Sequence, residues 1–202
     1  NFHSKASSIA VNNIDELQSL IDDLAVHESP GFWDKLMGKV SGGSNYEAAF
    51  NEAADWFNTQ DNGYENLSFF LTDGKPTQNT SGDSGSGTET EYDDFKNAVD
   101  AFDELTSQDV TVHGIGIGDG INEDYLRFFD NTELGEEYGS VSFERTEWVI
   151  WPIWKEEITE TVTGPVGEAE IVNNAEELEV ALENGSTSID PVEVGDDTIE
   201  GG

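Results

Sequence analysis

The sequence predicts an α/β fold, a mainly parallel sheet with helices on both faces, and three observations predict it. Two short apolar runs, residues 67–72 (LSFFLT) and 110–118 (VTVHGIGIG), lack polar alternation, which is the pattern of strands covered on both sides. Amphipathic helical segments precede and separate them. Both runs end on Asp-Gly, at Asp73–Gly74 and Asp119–Gly120, where a chain would leave the carboxyl edge of a sheet. Helices alternating with apolar strands make βαβ units, and hence a Rossmann-like, doubly wound sheet.

Each element has its own signal. Residues 12–26 place Ile14, Leu17, Leu20, Ile21 and Leu24 at helical spacing behind the cap candidates Asn12 and Asn13. The turn SGGSN opens a second helix, YEAAFNEAADWFN, with an Ala49, Phe50, Ala53, Phe57 stripe. Residues 76–90 are polar, rich in Gly, Ser and Thr and without period, and predict a mobile loop. A third helix follows over 91–105, a shorter one around 122–129 and a strand near 139–143. Residues 148–162 are expected to be helical on either side of Pro152. After Gly164 one strand and one helix give way to turn-forming and acidic residues, so the expected organisation is a domain over 1–164 and a connector over 165–202.

Composition narrows the function. The 202 residues carry 44 Asp and Glu against 8 Lys and Arg, a formal charge of −36, which disfavours nucleic acid as a partner and suits a solvent rich in counterions. There are no cysteines, so thiolate metal sites and cysteine nucleophiles are excluded. No apolar stretch approaches the roughly 20 residues that span a bilayer, so membrane insertion is not expected. The N-terminal NFHSKASSIAV has no basic-then-apolar signal pattern.

Other chemistry is weakly signalled. GIGIGDG has Asp119 where a dinucleotide fingerprint needs its third glycine, so its glycines are assigned to close packing. His3, His27 and His113 are scattered, and no serine or cysteine stands in a nucleophile elbow. A phosphotransfer enzyme with Asp73 as nucleophile would need a second aspartate two residues on, where Lys75 stands. Trp148, Trp151 and Trp154 are assigned to the core rather than to an aromatic platform.

GGSNYEAAF, FFLTDGKPT and VHGIGIGDG, in that order and separated by helices, resemble the von Willebrand factor A domain. They are most similar to the version in large bacterial RTX adhesins exported by type I secretion. The terminal GDDTIEGG, a rotated single copy of the calcium-binding nonapeptide, agrees with that setting. The resemblance implies a metal-ion-dependent adhesion site holding Mg2+ or Ca2+, with Ser44 in its second loop and Asp73 in its third. The family's first loop, D-x-S-x-S, does not occur in this sequence. The resemblance therefore implies a domain entered after its first strand, first helix and second strand, with the missing part of the domain as one possible partner.

Both site residues also have plainer readings. Asp73 could be turn punctuation, and Ser44 with Glu47 forms S-x-x-E, a helix capping box. The expected function is cation-dependent adhesion outside the cell, not catalysis. The module would bind a protein or glycan on a surface or host cell, with a structural spacer between adhesin modules as the alternative.

Overall fold

The computed structural model describes residues 43–60, 65–80, 87–134, 138–149 and 154–187. The helix expected over 12–26, the terminal GDDTIEGG and the side chains of Trp148, Trp151 and Trp154 lie outside the described part.

Helix α1 spans Tyr46–Phe57 and is followed by strand β1, Asn66–Thr72, helix α2, Tyr92–Thr106, and strand β2, Val110–Ile117. Short helix α3, Glu123–Leu126, runs into a 3-10 turn at Arg127–Phe129. Strands β3, Tyr138–Val149, and β4, Trp154–Pro165, come next, then β5, Glu170–Val172, and helix α4, Ala175–Thr187. The helix starts follow local chemistry. The Asn45 side chain accepts from the Ala48 N–H at 2.9 Å, and Glu91 N–H donates to Asp94 at 3.2 Å. Along α1, Tyr46, Phe50 and Ala54 fall four residues apart and form one buried stripe.

β1, β2 and β5 form a parallel sheet in the order β1-β2-β5, with Phe70 beside Gly114 and Gly116 beside Ile171. Successive strand residues face opposite ways. Phe70, Val110 and Val112 accordingly join α1, α2 and Phe129 in one apolar cluster. Phe69, Leu71, Ile115 and Ile117 join Val172, Leu178 and Ala181 in another. Helices therefore cover both faces of this mixed α/β structure. Phe129 sits at the centre of the larger cluster, its ring 5.4 Å from Phe50 and 5.5 Å from Phe95.

The glycines of β2 act as the sequence suggests. A Cβ on Gly116 would stand 2.9 Å from Ile121 and 3.0 Å from Leu126, so its absence lets the α3 turn close onto the sheet.

Three expectations need correction. Where described, residues 148–162 are strand and not helix: β3 and β4 pair antiparallel, with Val141 opposite Val162 and Val149 opposite Trp154. Ile158, Thr159, Thr161, Val162 and Thr163 are β-branched, which favours strand, and Val141, Phe143 and Val162 of the pair are buried. The strand and helix after Gly164 are present, but they close onto the sheet: β5 pairs with β2, and Leu178 and Ala181 pack over its second face. In the polar segment after β1, Pro76, Thr77 and Asn79 are buried rather than free in solvent.

Candidate functional site

Because β1, β2 and β5 are parallel, their carboxyl ends share one rim, and the turns that leave them meet there. β1 ends on Thr72, which is buried, and Asp73 follows it into solvent. The segment entering α1 lies alongside: Ser44 bridges Pro76, and its carbonyl accepts from the N–H groups of Thr77 at 3.0 Å and Gln78 at 3.2 Å. The Ser44 hydroxyl reaches the Asp73 turn, 3.3 Å from where a side chain on Gly74 would begin. The turn after β2 comes from the other side, and a Cβ on Gly120 would be 3.0 Å from the Asp73 carbonyl oxygen. Gly118 adopts φ +78°, a left-handed conformation that favours glycine, and its N–H reaches Val172 O at 2.8 Å.

The structure thus brings Ser44 and the Asp73 turn together, although 28 residues separate Ser44 from Thr72 in sequence and a helix and a strand intervene. It also removes the capping role from Ser44. The cap of α1 is Asn45, and Glu47 turns away to accept from the backbone N–H of Thr80 at 2.7 Å and from the Thr80 hydroxyl.

The Tyr46 phenol was not singled out by its sequence position, yet it holds this turn from below. It is 4% exposed, and it donates to Thr72 Oγ1 at 3.1 Å or to the Gly74 carbonyl, one residue on each side of Asp73. Gly74 N–H and Thr72 Oγ1 are 3.3 Å apart, which closes the ring of polar groups. Burial pushes the Tyr46 hydroxyl far above its ordinary range, the Thr72 hydrogen bond opposes that shift, and the charge of Asp73 adds to it. The phenol is therefore a neutral donor at physiological pH. A tyrosine at the first helical position, two residues after the serine, was the available signal.

As a metal site the rim offers hard oxygen donors, the hydroxyl of Ser44 and the carboxylate of Asp73, which suit Mg2+ or Ca2+ rather than softer ions. Among the described residues no group of three His, Cys, Asp or Glu side chains forms a ready-made cage. Water would have to supply most of the coordination. No helix among them is long and apolar enough to cross a membrane.

Comparison with protein-family profiles, curated proteins and solved structures gives no match to this chain.

Proposed function

We propose that this chain is a divalent-cation-dependent adhesion module, an A-type domain with a Rossmann-like doubly wound core, belonging to a large extracellular bacterial RTX adhesin. One observation carries the reading. A serine hydroxyl released from helix capping lies against the turn that carries the exposed Asp73, at the carboxyl rim of a parallel sheet. Ser44 and Asp73 would hold the cation, with water completing the roughly six oxygens that Mg2+ requires or the six to eight of Ca2+. The bound ion would supply an exchangeable coordination position, to be filled by an acidic group on a protein or glycan. The −36 charge agrees with an extracellular, cation-rich setting.

Titration with Mg2+ and Ca2+ at constant ionic strength, followed by calorimetry, tests this. Weak saturable binding is expected, and Asp73→Ala should remove it while leaving thermal unfolding cooperative. Binding that survives the substitution overturns the reading.

The lack of a carboxylate cage among the described residues favours one alternative, a spacer whose cations only stiffen an acidic chain. In that case divalent ions would raise the melting temperature equally in the parent and in Asp73→Ala.

A further inference from the structure

We propose that Tyr46 is the positioning residue of this site: its buried phenol locks the turn that carries Asp73 beside Ser44, and cation affinity depends on that lock. The inference rests on the reading of Ser44 and Asp73 as cation ligands.

The geometry supports it in three steps. Asp73 is exposed and carries no hydrogen bond of its own among those described, so its placement is set by its neighbours in the chain. Those neighbours, Thr72 and Gly74, both lie within hydrogen-bonding reach of the same phenol oxygen. That oxygen sits on a ring fixed by aromatic contacts on several sides, 4.8 Å from Phe70, 5.1 Å from Phe129 and 6.3 Å from Phe50. Tyr46 is also two residues from Ser44, at the start of α1, so one rigid group ties both ligand-bearing segments to the core. A two-residue site with little protein coordination is sensitive to such preorganisation, because each freed torsion is an ordering cost that binding must meet.

The phenol has a single proton and can donate to one acceptor at a time. Tyr46→Phe removes the donor and keeps the ring. The affected carbonyl at Gly74 stays partly bonded through Thr72, which lies 3.1 Å away, so the fold should persist. Loss of one hydrogen bond of about 1.4 kcal/mol corresponds to a tenfold change.

The test is Mg2+ titration of the isotope-labelled chain by NMR, following the Asp73 and Gly74 amides, with Mn2+ broadening to locate the ion. Tyr46→Phe should weaken Mg2+ binding about tenfold. Phe102→Leu, which loosens the same core away from the rim, should lower the melting temperature and leave affinity unchanged. Equal affinity in the parent and Tyr46→Phe overturns the positioning role, as does an equal loss in Phe102→Leu, since a purely structural role would move both. If the parent shows no Mg2+-dependent change at Asp73, the site reading itself fails, which is a separate outcome.

Discussion

The buried carboxylate of Asp94 accepts a hydrogen bond from the Asn79 side chain at 2.7 Å, which ties the segment after β1 to the first turn of α2. Its other oxygen accepts from the Glu91 N–H at 3.2 Å. Asp94 is 0% exposed, so each partner matters: a buried charge without its hydrogen bonds keeps the full cost of leaving water.

Asn79→Ala should therefore destabilise the protein by about 1–3 kcal/mol, the usual cost of leaving a buried polar group unsatisfied. Urea or thermal unfolding measures it. A change within error would mean that water replaces the amide.

The same group makes stability depend on pH. Burial raises the Asp94 carboxyl above its ordinary 3.8, while its bonds to Glu91 and Asn79 pull it back. The folded state then binds the proton more tightly than the unfolded chain does. Its contribution is present in full below the unfolded value of 3.8 and is lost as pH rises through the higher folded value. Asp94→Asn should lose this dependence, so its stability relative to the parent should improve from pH 4 toward pH 7. Unfolding series across that interval check the slope, and parallel curves would contradict the assignment.

Gly167 lies against Asp130, and an added Cβ would meet the Asp130 carbonyl oxygen at 2.5 Å. Asp130 is itself buried and accepts from the Gly114 N–H at 2.7 Å along β2. Gly167→Ala must displace the Asp130 backbone as well as its carboxylate, and should cost about 1–3 kcal/mol by overpacking. An unchanged melting temperature would show that the segment shifts freely.

Ending the chain after Gly164 would remove β5 and α4. Ile115 and Ile117 would lose Val172, Leu178 and Ala181 from their face of the sheet. Cooperative unfolding should be lost or sharply broadened in calorimetry relative to the full chain. A sharp transition in the shorter chain would show that the sheet is stable without its second cover.

Elements with a local signal were legible before folding. The helical spacing of α1, the continuous apolar runs of β1 and β2, and the turn glycines all lie within one or two turns of chain, although the stripe expected at Ala49, Phe50, Ala53 and Phe57 is buried in the structure through Tyr46, Phe50 and Ala54. Asp73 was legible as a turn residue or a ligand from its place at the end of an apolar run, and Ser44 entered as a site candidate only through the resemblance.

Long-range contacts settled what those local signals could not separate. Residues 154–162, expected as helix, are strand because they pair with 138–149 and bury Val141, Phe143 and Val162 together. The sequence offered Ser44 as the cap of α1, whereas the structure gives the role to Asn45, whose side chain accepts from the Ala48 N–H. The position of Tyr46 at the start of α1 was legible, but its bond to Gly74 exists because α1 lies across the end of β1. Such contacts join residues far apart in the chain, so they are selected by burial and hydrogen-bond satisfaction in the folded state, which no local window of sequence encodes.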